Sequence, residues 1–456
     1  MTKHVDAPQS RARNSREEVA KRLKDENIRF LRLNFTDITG TNKNVEVPTS
    51  QFDKALDGQI MFDGSSIEGF VRIEESDMLL APDFDTFRVY PWDDHGRGKV
   101  ARIICDVQNP DGSAFAGCPR STLKRMIARA ADKGTMLMAG PEAEFFLFQR
   151  DLDGQVTTET NDAAGYFDAA PLDEAEACRH EITNILEQMG LEVEASHHEV
   201  APGQHEIDFR YGDALATADN LTTFKYVVRR VAKDFGMHAT FMPKPIFGIN
   251  GSGMHIHMSL FDVDGKKNLF FDESAEWKIS KEGLSFIGGV IEHARGFCAV
   301  TNPLVNSFKR LVPDYEAPTH IAWSMRNRSP MIRIPERRGL GTRMEIRMPD
   351  PSCNPYLAFA CVLAAGLDGI DRGAEPPPPV NKNIYTMSQR ERQRMKIVSL
   401  PGNLSEAVDA LEKDALMKEA LGEHVFTHFI EAKRQEWQDY IAQVHDWELQ
   451  RYLGTY

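Results

Sequence analysis

The sequence predicts an α+β protein, a small strand-rich domain ahead of a large domain that mixes strands and helices. Three observations carry this. Short alternating segments dominate up to the turn formed by Asn109, Pro110, Asp111 and Gly112. Helical periodicity becomes heavy beyond that turn. Several strands of the second part are apolar on one face and charged on the other.

The first helix is expected from Ser15, where Ser15 and Glu18 form a capping box and Val19 and Leu23 begin an apolar stripe. Residues 1–14 read as a frayed tail. Arg11, Arg13 and Arg16 hint at a transit peptide, but Glu17 and Glu18 follow at once. Strands are expected over 29–35, 44–47 and 100–107. The domain boundary is placed near 110–118, giving a small domain over 15–111 and a large one over 118–456. Helices are expected over 121–133, 173–189, 222–235, 281–297 and 355–370, with Gly134, Gly190 and Gly236 at positions just past helix ends. Pro376 to Pro379 read as a stiff linker or loop. From Ala415 the chain is expected to be helical, ending in an aromatic stretch from Trp447 to Tyr456.

A chain of 456 residues needs no disulfides to hold a core. Its 41% hydrophobic and 27% charged residues suit a soluble globular protein. The net charge of −14 argues against generic nucleic-acid binding and against an anionic membrane surface, since both need excess Lys and Arg. No apolar run approaches the roughly 18 residues of a membrane span, and no secretory h-region opens the chain, so a cytoplasmic location is expected. Six cysteines, at 105, 118, 178, 298, 353 and 361, form no Cys-x-x-Cys and read as buried free thiols.

The charged strands are the informative part. Period-2 geometry puts Glu142 and Glu144 on one side of a strand. It gives His255, His257 and Ser259 one face and Met254, Ile256, Met258 and Leu260 the other. Arg343, Glu345 and Arg347 face one way, with Met344, Ile346 and Met348 behind, and Glu206 and Asp208 repeat the pattern. One such strand is indistinguishable from a solvated sheet face; several together favour a polar cavity walled by a sheet. Crowded carboxylates there would repel and take up protons unless cations hold them. Oxygen-rich sites with one imidazole suit Mg²⁺ or Mn²⁺, and Mg²⁺ with phosphate points to a nucleotide.

An arginine belt agrees. Arg310, Arg326, Arg328, Arg333, Arg337, Arg338, Arg343 and Arg347 lie close in sequence, with Lys309, against only Asp314, Glu316, Glu336 and Glu345. Arginine captures carboxylate or phosphate bidentately, and this reading is favoured over a belt that pairs with acids of a neighbouring subunit. Neither a P-loop nor a dinucleotide fingerprint is present, so metals and arginines would hold any phosphates. His424 and His428, spaced i, i+4, read as a surface helix. His197, His198 and Glu199 lack the second histidine of a zinc-protease motif.

Read together, these residues resemble the glutamine synthetase family, class I, α-type. Residues 61–70, from Met61 through Asp63, Ser65 and Ser66, resemble its latch-like loop. Residues 244–255 resemble its ATP-binding segment and 307–316 its flap, and Asn354, Pro355 and Tyr356 close its catalytic core. The resemblance runs from about residue 15 to Tyr456. It implies a β-grasp N-terminal domain, an antiparallel catalytic domain with helices, and ATP-dependent ligation of ammonia to glutamate. It also implies a dodecamer of two hexameric rings with active sites between subunits, the aromatic tail inserting into the opposite ring.

Residue by residue, the resemblance implies one metal on Glu144, Glu199 and Glu206 and another on Glu142, His255 and Glu345. Glutamate would be bound by Asn250, Gly251, Arg310, Glu316, Arg328 and Arg347, and ATP by Glu194, His257, Ser259, Arg328 and Arg333. Asp63 of an adjacent subunit, with Ser66, Tyr166 and Glu199, would form the ammonium pocket. Glu316 would close the flap, Arg328 would steady the transferring phosphoryl group, and Arg72 would relay feedback by glutamine. Asp314 departs from the family's usual flap glycine. The insertion of the adenylylated type is absent between Phe148 and Tyr166, and Tyr385 reads as structural. Two other readings compete: γ-glutamylation of a polyamine or other amine on the same scaffold, and a non-catalytic ring that senses glutamine and binds a transcription regulator.

Overall fold

In a computed structural model, which describes residues 14–69, 77–92, 96–313, 315, 317–325 and 327–456, the N-terminal strands join in one sheet. Its order is Asn42–Pro48, Ile28–Thr36, Lys99–Gln108, Asp77–Val89 and Met61–Asp63. The two central strands, Ile28–Thr36 and Lys99–Gln108, run parallel and the other pairs antiparallel. Leu31, Leu33, Ile103 and Val107 pack with Val19 and Leu23 of the helix Arg16–Asp25. That helix carries the expected capping box. A mixed sheet under a helix is the β-grasp arrangement. The long strand Asp77–Val89 was not expected, because Pro82, Asp83 and Asp85 interrupt its alternation. Arg120 supplies the missing partner for that acid. Only 2% exposed, it donates to Asp83 (2.5 Å), Asp106 (2.9 Å) and Asp219 (2.9 Å), joining the first sheet to the helices behind it.

Among the described residues the rest of the chain builds a two-stranded sheet, His320–Ile321 with Val398–Ser399, and two large ones. One runs Gly212–Asp213, Thr135–Ala143, Met254–Asp262, Met344–Ile346, Ile332–Arg333 and Trp323–Ser324. The other runs Met237–Thr240, Phe145–Arg150, Gln204–Phe209 and Val193–His198, with Val156–Thr160 beside Phe145–Arg150. Helices Pro119–Asp132, Glu176–Gln188, Ala214–Asp234, Lys281–Thr301 and Pro355–Arg372 stand where helices were expected. Ala214–Asp234 starts well before 222 because Asp213 caps it, accepting from Ala216 N at 2.9 Å. Within it Thr222 and Thr223 donate back to the Asp219 carbonyl at 2.8 Å.

Lys281–Thr301 and Pro355–Arg372 form the heart of the larger core and cross at glycines. A Cβ on Gly289 would lie 2.1 Å from the Ala365 carbonyl, and one on Gly369 2.2 Å from that of Ser285. The six cysteines are free and buried. Helices Ala415–Leu421, Glu423–Ile441 and Asp446–Tyr452 end the chain and leave Trp447, Leu453 and Tyr456 exposed. Among the described residues no helix is long and apolar enough to cross a membrane.

Candidate active site

The acids do not line one strand as the period-2 reading had it. The strand Thr135–Ala143 ends just after Glu142, and the next, Phe145–Arg150, belongs to the other sheet. Glu144 occupies the junction, donating its N–H to the Gly253 carbonyl at 3.1 Å. The site is therefore a seam between two sheets, and each sheet contributes its own set of acids.

On the first sheet, register pairs His255 with Glu142 and His257 with Glu345. Ligand atoms of Glu142, His255 and Glu345 lie within 4.8 Å of one another. His255 Nδ1 is 3.5 Å from Glu142 Oε2 and 4.0 Å from Glu345 Oε1. Glu345, 1% exposed, is held by Arg333 on one oxygen and by Arg347 Nη1 at 2.5 Å on the other. His257 bridges outward: Arg343 Nε donates to its Nδ1 at 3.1 Å, so its Nε2 carries the proton and donates to Glu142 Oε1 at 2.7 Å. Burial pushes both carboxyls up, but these partners win. His255 and His257 hold Glu142 far below the usual carboxylate range, and His255 and Arg347 hold Glu345 below it. Burial, then Arg347, presses His255 down to about 4, leaving a neutral imidazole able to bind a metal.

On the second sheet Glu144 and Glu206 form no ion pair with Lys or Arg among the described residues, and the charge of Arg310 acts on Glu144 less than burial and Glu199 do. His197, Glu199 and Glu206 offer atoms within 4.8 Å of one another, with His197 Nε2 3.3 Å from Glu206 Oε1 and Nδ1 3.6 Å from Glu199 Oε1. Glu144 faces the same group, and its Oε2 accepts from Gln204 Nε2 and Gly253 N, each at 2.8 Å. Burial and then the charge of Glu199 raise Glu144 well above the usual range; burial and then Asp208 do the same to Glu206. Burial and then Glu142 lift Asp208 to about 7. A carboxylate pushed up in this way gains most from a cation, so the donor set fits a divalent ion.

His197 and Gln204 escaped the sequence reading. The sequence signal for His197 was its place two residues before Glu199; its pairing with Glu206 comes from the register of the two strands.

A cleft of about 630 Å³ opens beside the seam, lined by Glu142, Glu194, Asp208, Tyr211, His257, Ser259, Arg337 and Arg343. Of the residues expected to meet ATP, Glu194, His257 and Ser259 face it; Arg333 is engaged with Glu345 and Arg328 is exposed on a separate segment. On the opposite side, Arg310 donates to the carbonyls of Met348 (2.8 Å) and Arg347 (3.2 Å). Gly253 makes room for it, since a Cβ there would lie 2.4 Å from Arg310 Nη2. Gly251 accepts from Gln204 Nε2 at 3.1 Å, and Asn250 precedes it on the same loop. Arg347 Nε is buried and has no partner among the described residues, a donor ready for a substrate anion.

Asp63 and Ser66 are not brought to this seam. They are exposed, on the edge strand Met61–Asp63 and the turn after it, where Asp63 accepts from Ser65 N at 2.8 Å. That turn is tied down from an unexpected quarter. His424 Nε2 lies 2.8 Å from the Gly69 carbonyl, and its ring packs edge-on to Phe115, so His424 is a half-buried tether and not part of a plain surface helix, while His428 pairs with Glu431. Tyr166 stacks on Phe167 with ring centroids 4.0 Å apart, edge-on to His197. Arg72, Asp314 and Glu316 lie outside the described residues.

Residues 27–110 match the glutamine synthetase beta-Grasp domain and residues 116–452 the glutamine synthetase catalytic domain. The chain belongs to the glutamine synthetase family. It is 64% identical over 442 residues to glutamine synthetase of Thermus thermophilus, covering 96% of this chain and 99% of that one. It is 55% identical to the Clostridium saccharobutylicum enzyme, covering 98% and 100%. Among solved structures, an ADP complex of GmaS superposes with a TM-score of 0.86 at 34% identity, over 95% of this chain and 99% of that one. The cryo-EM glutamine synthetase of Plasmodium falciparum gives 0.85 at 26% identity, over 96% and 99%. A glutamine synthetase uses ATP and divalent metal, and the acid sets on the seam suit both demands.

Proposed function

We propose that this chain is an ATP-dependent glutamate–ammonia ligase, and that its reaction runs at the seam between the two large sheets. The observation that carries this is the pair of acid sets meeting beside a nucleotide-sized cleft, with Arg347 Nε buried and without a partner among the described residues. A carboxylate is a poor electrophile. Its oxygen attacks the γ-phosphorus of ATP, ADP leaves, and the γ-glutamyl phosphate then accepts ammonia at carbon and expels phosphate. Divalent ions, Mg²⁺ or Mn²⁺, held by Glu142, His255 and Glu345 and by Glu144, Glu199 and Glu206, supply neutralising charge for phosphoryl transfer. Glu194, His257 and Ser259 hold the nucleotide. Arg310, Arg347, Asn250 and Gly251 orient glutamate, and Arg328 steadies the transferring group. Glu316 closes the flap, which keeps water from the acyl phosphate.

Ammonium is no nucleophile until it loses a proton. A carboxylate both attracts the cation and takes that proton. Asp63 does this, with Ser66, and the exposure of both supports their serving the site of a neighbouring copy. Tyr166 and Glu199 complete the pocket. The assembly this requires is a homo-oligomer, with two hexameric rings as its form. Arg72 makes glutamine a feedback inhibitor.

The test is ADP release with glutamate and Mg²⁺, supplying ammonium, ethanolamine or putrescine in parallel. Ammonium is expected to be the best acceptor; faster turnover with either organic amine would give the amine-ligase reading instead. Asp63→Ala is expected to raise the ammonium KM about tenfold with little change for ATP. Equal loss for both would make Asp63 structural.

A further inference from the structure

Beneath the second acid set lies a buried polar group that the reaction scheme does not use. His198 is 0% and Asp162 8% exposed. His198 Nδ1 lies 2.7 Å from the Glu199 carbonyl and Nε2 lies 3.0 Å from Asp162 Oδ1. Both contacts are acceptors, so the ring is clamped between the Glu199 carbonyl and the Asp162 carboxylate, one on each nitrogen. The neighbouring His205 is the opposite case. Its Nδ1 faces Arg179 Nη1 at 3.1 Å, and a guanidinium only donates, so that ring is neutral.

Asp162 is also a hub. Its Oδ1 accepts from Gly203 N at 3.0 Å, and its Oδ2 from Asn161 Nδ2 at 2.8 Å and Glu174 N at 3.3 Å. The segment from Asp162 to Glu174 carries Tyr166 and is thereby pinned at both ends. Its middle is pinned by Phe167 N donating to the His198 carbonyl at 3.1 Å. Gly203 lies in the turn that carries Glu199 and links the strand Val193–His198 to the strand of Glu206. His198 itself stands between His197 and Glu199.

We infer that the His198–Asp162 pair is a positioning element for the ammonium side of the site, fixing the Tyr166 segment against the turn that carries Glu199. The inference rests on the ammonia-ligase reading for its kinetic consequence, not for its structural one. Neither residue touches the reacting atoms. Their effect is to hold the Tyr166 ring at its place over His197, and hence the distance between the pocket's aromatic wall and its carboxylate.

Two conservative substitutions separate the two bonds of His198. An asparagine reproduces the Nδ1 donor toward the Glu199 carbonyl and loses Asp162. A glutamine reproduces the Nε2 donor toward Asp162 and loses the carbonyl. His198→Asn is expected to raise the ammonium KM about tenfold with the ATP KM within about twofold, and His198→Gln to recover most of that loss. Asp162→Asn is expected to follow His198→Asn, and it reads the same split should His198→Asn fail to assemble. A crystal structure of His198→Asn, or of Asp162→Asn in its place, gives a second readout: the stacked Tyr166 and Phe167 rings displaced from His197. Equal rises in both KM values, an unchanged ammonium KM, or an unmoved Tyr166 would overturn the inference. Wild-type enzyme that ignores ammonium would instead remove the ligase reading, and the crystallographic comparison would still decide this one.

Discussion

The two acid sets on the seam are built from similar residues and are held in opposite electrostatic states. Glu142 and Glu345 are answered by His255, His257, Arg333 and Arg347, and both stay ionised, Glu345 buried and Glu142 half-buried. Glu144 and Glu206 face one another and Glu199, with His197 beside Glu206, and burial with these neighbouring charges pushes both up; burial and then Glu142 do the same to Asp208. The first set is therefore complete as folded protein. The second is strained by its own charge until a cation arrives, so metal binding and stability must be linked there more tightly than at the first.

The largest effect is expected at the compensated set. Glu345→Gln leaves Arg333 and Arg347 facing a neutral amide in a buried place. It should lower ligase activity at least about a hundredfold and cost the metal-free protein about 3 kcal/mol. ADP release and thermal melting in chelator measure the two; wild-type turnover would show that Glu345 is no metal ligand. Glu206→Gln should also impair catalysis but act on stability with the opposite sign. By relieving repulsion it should stabilise the metal-free protein by about 1 kcal/mol, while shrinking the stabilisation that Mg²⁺ confers. If both glutamine variants destabilise the metal-free protein alike, the contrast between the sets is wrong.

The pH dependence follows from the same carboxyls. An unfolded carboxyl titrates near about 4. Asp208 titrates at about 7 when folded, with Glu144 and Glu206 raised too. Between those limits the folded state keeps protons that the unfolded chain has lost. Their contribution to stability is thus present at low pH and lost as pH rises from about 4 through about 7. Melting without metal should show that decline, and saturating Mg²⁺ should flatten it. The smallest effect is expected from Asp208→Asn, which should remove part of the slope and leave the rest to Glu144 and Glu206. A slope unchanged by metal would place the titration elsewhere.

Much of this was legible beforehand, and the failures are specific. The capping box at Ser15 and Glu18 and the long helices follow from local chemistry that needs no distant partner. The strand Asp77–Val89 was hidden because its acids are satisfied from elsewhere in the chain, Asp83 by Arg120 and Asp85 by the N–H of Asn14. His197 was set aside as part of an incomplete motif, since its pairing with Glu206 depends on a register between strands. His424 was read as solvated because Gly69, which it meets, is remote in sequence.

By itself the sequence determined the kinds of groups and their alternation: His255 and His257 on one strand face, Glu345 between two arginines, glycines where helices end. Those are consequences of backbone period and side-chain chemistry, which act within a few residues. The tertiary structure alone decided that Glu142 and Glu144 part company at the end of a strand and serve different sheets. It also decided which acids obtain a cation and which do not. Charge compensation depends on distance in space, and only the packing of one sheet against another sets that distance.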